Sequence, residues 1–390
     1  MTSRDARPVV VVGGGIGGVA AALALLRIGR EAVVLERAAD PADVGSGITL
    51  FPNAMASLDA IGAGDAVRDV GAPPPAGTSG MRLPDGRVVV DAASVPIVQG
   101  LCALHRIDLH RALRGLLPAG ILTTGVEVTG VRNLAGGAVV EVADGRSVEA
   151  SLVVAADGLR SRVRAALHPT YGGPRYSGYT SWRGVTSVPV DLAGVAGETW
   201  GRGERFGILP LRDGRVYWFA VANLPAGSRL DAHAEVRRRF GGWHDPIPAL
   251  LAHTPPEAVL SLDIHDLTLP LPPFADGRVV LLGDAAHAMT PDIGQGAGQA
   301  IEDAVVLAAA LADLSTPEAI ARYDHERRPR TTGIVKMARR TGRLGQVESR
   351  LAVWSRTSLM RLAPPSLALK MVERITRWTP PALPERRPTS

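Results

Sequence analysis

Short, wholly apolar runs punctuate the chain at Val9–Val12, Ala32–Leu35, Leu152–Ala156 and Val279–Leu282. Runs of this length, bounded by glycine or an acid, predict strands buried on both faces, as in a parallel sheet. Between the first two, Ala20 to Leu26 continues as helix and Gly29 stops it. After the last, apolar residues recur at helical spacing at Ile301, Val305, Ala308, Ala309 and Ala312. Elsewhere the period shortens. Val126 to Val131 and Ala138 to Val142 alternate like antiparallel strands joined at Gly136-Gly137, and Pro84-Asp-Gly86 predicts a hairpin turn within Arg82 to Val90.

From Tyr171 to Leu269 the pattern is strand-like and aromatic (Tyr179 to Val188, Glu198 to Leu211, Arg215 to Ala222, Val259 to Leu269), with one helical piece at Ala232 to Phe240. Such a sheet suits a face that receives a planar apolar ligand, and equally a sheet that simply covers a core. Ala72 to Gly80, rich in Pro and Gly, reads as a crossing between subdomains. Beyond Pro329 the chain is helical and basic. There Leu367, Met371, Ile375 and Trp378 share a face beside Lys370, Arg374 and Arg377, a pattern that packs on its own protein or, as the minority reading, touches an anionic membrane.

With 390 residues, 46% of them hydrophobic, the chain can bury a large core. The net charge of +5 comes almost entirely from Arg, since Lys stands only at positions 336 and 370. No basic stripe carries interleaved aromatics, so no nucleic-acid partner is expected. Cys102 is the only cysteine, which excludes an intramolecular disulfide and a cysteine-based zinc site, and no metal-ligand cluster is read elsewhere. Neither a signal peptide nor a transmembrane stretch is read, so a cytoplasmic protein, monomer or homodimer, is expected.

Two motifs bring chemistry. The strand Val9–Val12 runs straight into Gly13-Gly-Gly-Ile-Gly-Gly18, a helix follows, and the next strand ends at Glu36. Strand, GxGxxG turn, helix, strand and acid together read as a dinucleotide-binding unit. Gly13 permits the tight turn, Gly15 the approach of a pyrophosphate, and Gly18 the packing of helix on strand, while Glu36 accepts from a ribose diol. The second motif is Gly283-Asp284 at the end of an apolar strand, followed by the glycine-rich Gly294-Gln295-Gly296-Ala297-Gly298 at a helix start, a place that favours negative charge. His287, beside it, reads as structural packing ahead of proton transfer.

These motifs with Asp157-Gly158, in this order, resemble the single-component FAD-dependent monooxygenases of the para-hydroxybenzoate hydroxylase-like group, over roughly residues 8 to 335. Gly47-Ile-Thr-Leu-Phe-Pro-Asn53, Gly178-Tyr-Thr-Ser-Trp-Arg-Gly184, Trp200 to Pro210 and Thr290-Pro-Asp-Ile-Gly-Gln-Gly296 are similar to the subgroup of urate hydroxylase, salicylate hydroxylase-like enzymes and zeaxanthin epoxidase.

The resemblance implies an α/β fold. A Rossmann-like FAD-binding domain (1–75, 100–170 and 270–330) would carry an inserted, mostly antiparallel substrate sheet (76–99 and 171–269) and a C-terminal helical segment (331–390). It implies that Gly13, Gly15, Gly17, Gly18, Glu36 and Arg37 hold the ADP half of FAD. Val128 would offer backbone contacts to the adenine, Arg106 would approach the pyrophosphate, and Asp284 would bind the ribityl or pyrophosphate region. Thr49 would contact the cofactor as well, and Asp157 is linked in the family to both FAD and NAD(P)H binding. Pro291 with Gly294, Gln295, Gly296, Ala297 and Gly298 would cradle the isoalloxazine. Arg205 and Tyr217 match substrate-pocket positions, although Arg205 also suits a structural ion pair.

The implied activity consumes NADH or NADPH and O₂, and hydroxylates an aromatic or N-heteroaromatic small molecule through a flavin C4a-hydroperoxide. Alkene epoxidation is the alternative. A non-oxygenating flavin reductase, oxidase or redox sensor is the alternative of another class. No second GxGxxG is present, so the nicotinamide nucleotide is expected to visit the same cleft.

Overall fold

The computed structural model describes residues 7–40, 46–73, 79–91, 100–364, 370, 373 and 375–384. Its first layer is a six-stranded sheet in the spatial order Ala275–Asp276, Val279–Leu281, Leu152–Ala155, Val9–Val12, Ala32–Glu36, Leu122–Thr124. All neighbours are parallel except the two-residue edge strand, with Val9 level with both Leu152 and Ala32. The apolar runs of the sequence therefore lie side by side. Their residues are almost wholly buried because helices cover them, chiefly Ile16–Arg27 and Gly296–Asp313. Alanines dominate the meeting faces of these two helices, which allows close approach.

The second layer is a seven-stranded sheet ordered Leu260–Leu267, Pro174–Val185, Val216–Asn223, Glu204–Pro210, Ala196–Trp200, Ser79–Arg82, Val88–Asp91. Only the pair Ala196–Trp200 with Ser79–Arg82 is parallel. One face buries Trp182, Phe206 and Trp218 against the helices Ala232–Phe240 and Ile247–Ala252. The other looks towards the first layer. A three-stranded meander (Val128–Leu134, Gly137–Val142, Ser147–Ala150) and a small pair (Gly47–Leu50 with Cys102–His105) complete the strands among the described residues.

Several sequence expectations needed correction. Glu198 to Leu211 is two strands, broken at Gly201–Gly203, where Gly203 has φ +65°. The helix Ile247–Ala252 carried too short a pattern to be read. Pro329 does not open a helix but lies inside a continuous one, Thr316–Gly345. A proline there forfeits one backbone bond, which the surrounding packing and the Arg327 contacts described below offset. The 82–90 hairpin forms. Most of the 72–80 crossing lies outside the described residues, as do Leu367 and Met371. Of that C-terminal face Ile375 is buried, and Trp378 is covered by Arg330 and Arg327, whose guanidinium carbons lie 5.4 and 5.8 Å from its ring. Among the described residues no helix is long and apolar enough to cross a membrane, and no cluster suits a metal ion.

Candidate active site

The two layers enclose one cleft of about 530 Å³. On its nucleotide side the GxGxxG turn is shaped by collisions that only glycine avoids. Gly13 sits at φ +103°, and a Cβ there would strike the Ala156 carbonyl, while one on Gly18 would strike the Gly13 carbonyl. Gly15 is different. Its φ of −71° suits any residue, and a Cβ would meet nothing within 4 Å. The same holds for the space around Gly296. Both line the cleft, so the protein's own packing does not require them to be glycine, and they leave open space on its wall.

Glu36 turns back on the loop. Its Oε2 accepts from the Gly14 N–H at 2.7 Å and its Oε1 from the Ala38 N–H at 2.8 Å, leaving each oxygen a lone pair for a diol. Gly17, Thr49, Arg106 and Asp284 line the cleft, with Arg106 and Asp284 exposed to it at helix starts. Pro291, Gly294 and Ala297 line it as well, and Gly294 takes the left-handed conformation at φ +64°. Gln295 and Gly298 stand behind the cradle. The Gln295 amide oxygen accepts from Asn53 at 3.0 Å and Gln299 at 3.1 Å. Asp157 has one oxygen on the Val163 N–H and the other buried without a partner, between the cleft residues Ala156 and Gly158.

Arg37, exposed beyond its strand end, and Val128, paired with Val142 in the meander, stand outside the cleft lining, as do Gly13, Gly18, Glu36, Asp157, Gln295 and Gly298.

Behind the cradle lies a buried polar network. Arg327 donates to Asp303 at 2.6 Å, to Glu302 at 2.5 Å and to the Gln299 side chain at 2.8 Å. Arg330 adds two bonds to Glu302, and His287 and the Gly283 N–H bond to Asp303 at 2.6 and 2.9 Å. Burial alone would raise the Asp303 pKa. The charges of His287 and Arg327 outweigh it and hold the carboxyl at about 2. His287 is thus a structural partner, as expected.

The opposite wall is the substrate-sheet face. Arg205 and Tyr217 both reach it, on neighbouring strands but not facing each other: Arg205 pairs with Val221 and Tyr217 with Leu209. Arg205 is 2% exposed and ion-paired to Asp292, with Glu198 at 3.7 Å and Gln346 accepting from its Nε at 3.0 Å. Arg205 therefore lines the cleft and is structurally paired. The Tyr217 ring packs on Gly47, and burial raises its phenol pKa, so it is a neutral hydroxyl.

Glu198 and Arg183 were missed. Glu198 accepts from the Trp200 indole at 2.6 Å, and burial raises its pKa against the pull of Arg205 and that bond. Arg183 lines the cleft with no hydrogen bond or ion pair among the described residues. Their position in the strands shows only once register is known.

A two-layer fold with a glycine-lined nucleotide loop, a glycine-opened helix start and an aromatic sheet around one cleft defines a flavin-nucleotide enzyme. Comparison with known proteins agrees. The model of the family described as "FAD binding domain" matches residues 6–338. The chain is 41% identical to aurachin C monooxygenase/isomerase of Stigmatella aurantiaca over 95% of its length and 98% of that protein's. It is 34% identical to the 2-heptyl-3-hydroxy-4(1H)-quinolone synthase of Pseudomonas aeruginosa, over 94% and 97% of the two chains. The crystal structure of Klebsiella pneumoniae HpxO complexed with FAD and uric acid superposes with a TM-score of 0.87 at 29% identity, covering 96% of this chain and 97% of that one. The chain belongs to the FAD-dependent monooxygenase family, and FAD is its cofactor.

Proposed function

We propose that the protein uses NADH or NADPH and O₂ to hydroxylate a ring carbon of an N-heteroaromatic small molecule, a reading supported by its similarity to a 2-heptyl-3-hydroxy-4(1H)-quinolone synthase. The observation that carries this reading is the pairing, across one cleft, of the free space at Gly15 and Gly296 with the ring-lined face of Tyr217 and Phe219. In this reading residues 1–75, 100–170 and 270–330 serve the cofactor, and 76–99 and 171–269 serve the substrate.

FAD, when bound, would relay the reducing equivalents of the nicotinamide nucleotide and supply the oxygen chemistry. The chain supplies the surroundings. The first-turn N–H groups of Ile16–Arg27 and Gly296–Asp313 would favour negative charge on the cofactor, and Arg106 would add a cation. Asp284 accepts from hydroxyls. Phe219, Val221 and Met289 exclude water from the reacting ring. Tyr217, kept protonated by burial, donates a hydrogen bond to a substrate oxygen. Arg205 holds Asp292 and Glu198 in place on the wall rather than offering a free charge.

The test is steady-state oxidation of NADH and NADPH with and without a 2-alkyl-4-quinolone. Substrate-stimulated consumption with a hydroxylated product supports the proposal. Consumption that yields only hydrogen peroxide for every ring offered refutes it in favour of an oxidase.

A further inference from the structure

The register of the substrate sheet lines up four residues on neighbouring strands. Arg183 stands opposite Phe219, Phe219 opposite Gly207, and Gly207 opposite Glu198. Residues level with one another across a sheet share a face, and Arg183, Phe219 and Glu198 all line the cleft. Gly207 completes the row by having no side chain, since a Cβ there would run into the Phe219 ring. The aromatic ring consequently lies flat across the middle of the row. A cation stands at one end and a carboxylate at the other, three strand spacings or about 14 Å apart at the backbone.

Each end has unused capacity. Arg183 bonds to nothing among the described residues, and its Nε is buried without a partner. Such an orphaned donor is costly unless a ligand completes it. Glu198 commits one oxygen to the Trp200 indole at 2.6 Å, while its second oxygen makes no hydrogen bond among the described residues. Its side chain is 32% exposed, onto the cleft it lines. The wall therefore presents a donor, an apolar floor and an acceptor in a straight line.

We infer that this row selects and orients rings that carry an N–H and a carbonyl on opposite sides, the vinylogous amides of the 4-quinolone and 4-pyridone type: the ring lies on Phe219, the N–H donates to Glu198, and the carbonyl oxygen accepts from Arg183. The inference rests on the proposed ring hydroxylation and assigns its substrate's polarity and the residues that read it. Holding both ends fixes which ring carbon faces the cofactor side of the cleft. The bond to a carboxylate also raises electron density in the N–C=C–C=O system, favouring attack on the carbon next to the carbonyl. A ring whose only polar group is a carboxylate meets Glu198 as a repulsive neighbour and is disfavoured.

The experiment uses FAD-loaded enzyme and reads dissociation constants from the change in flavin absorbance on titration. The probes are 2-heptyl-4(1H)-quinolone and its N-methyl analogue, which keeps the carbonyl and lacks the N–H. The key variant is Glu198→Gln, which keeps an acceptor for Trp200 but offers the ring N–H an amide donor. It should weaken binding of the N–H compound about 10- to 100-fold and leave the N-methyl analogue unchanged. Arg183→Met should weaken both compounds. Flavin content and melting temperature, measured on each variant, confirm an intact holoenzyme. Equal effects of Glu198→Gln on the two probes, or failure of the wild-type enzyme to bind the N–H compound, overturns the inference. Selective loss of binding in an enzyme that never transfers oxygen upholds the row and refutes the proposed reaction. Hydroxylation that is indifferent to Glu198→Gln does the reverse.

Discussion

Replacing Arg327 with Met removes the centre of the network behind the Gly294–Gly298 segment while keeping much of the side chain's length. Arg327 is 1% exposed and reaches Asp303, Glu302 and Gln299. Breaking one partner out of a buried ion cluster costs about 3–5 kcal/mol, because the opposing charges stay buried. Here the loss is cushioned. Glu302 keeps both bonds from Arg330, and Asp303 keeps His287 and the Gly283 N–H. A loss near the lower end, about 3 kcal/mol, is therefore expected. Arg327→Lys should recover less than half of it, because an ammonium cannot serve three acceptors in the guanidinium plane. Urea unfolding of the flavin-free protein, compared at matched transition slopes, measures the effect. The same variant should also bind FAD more weakly, since Glu302 and Asp303 lie within the first two turns of the helix that starts at Gly296. A change below about 1 kcal/mol in Arg327→Met would show that the cluster is not what holds that helix start.

Gly15→Val and Gly18→Ala should part company. The first is expected to fold with normal stability and lose FAD affinity at least about tenfold, and the second to lose fold and flavin together, because its Cβ meets backbone; melting curves with and without FAD separate them. Asp303, held at about 2 against an ordinary 3.8, stabilises the fold fully above pH 3.8, and that stability is lost as pH falls towards 2. The loss should amount to roughly 2 kcal/mol and be absent from Asp303→Asn, as acid titration of unfolding midpoints would reveal. Tyr217→Phe should retain FAD while slowing substrate-dependent turnover at least about tenfold, consistent with loss of one hydrogen bond in a dry site; unchanged kcat and KM would place the substrate oxygen elsewhere.

What could be read from the chain beforehand follows from the range over which each signal acts. The nucleotide loop is local: strand, glycines, helix and Glu36 lie within a few tens of residues, and their spacing alone determines that they meet. The cradle at Gly294–Gly298 is local in the same sense. The opposite wall is not. Arg183, Gly207, Phe219 and Glu198 come from four strands, and a slip of one residue in any pairing would turn its side chain away from the cleft. Reading Glu198 to Leu211 as one strand hid the turn at 201–203 and with it the position of Glu198. Asp292 was hidden differently. It sits in the motif read as a glycine cradle, yet its carboxylate turns to Arg205 and Tyr179 on the sheet.

The central claim is that this chain inserts an atom of O₂ into a ring held on the Phe219 face. Its most direct test is a single-turnover experiment with FAD-loaded enzyme, NADH or NADPH, 2-heptyl-4(1H)-quinolone and ¹⁸O₂, with the product analysed by mass spectrometry. The account predicts one ¹⁸O atom in a ring-hydroxylated product, with nicotinamide oxidised in step. A hydroxylated product without ¹⁸O, or nicotinamide oxidised with unaltered quinolone and peroxide as the sole product, would contradict it.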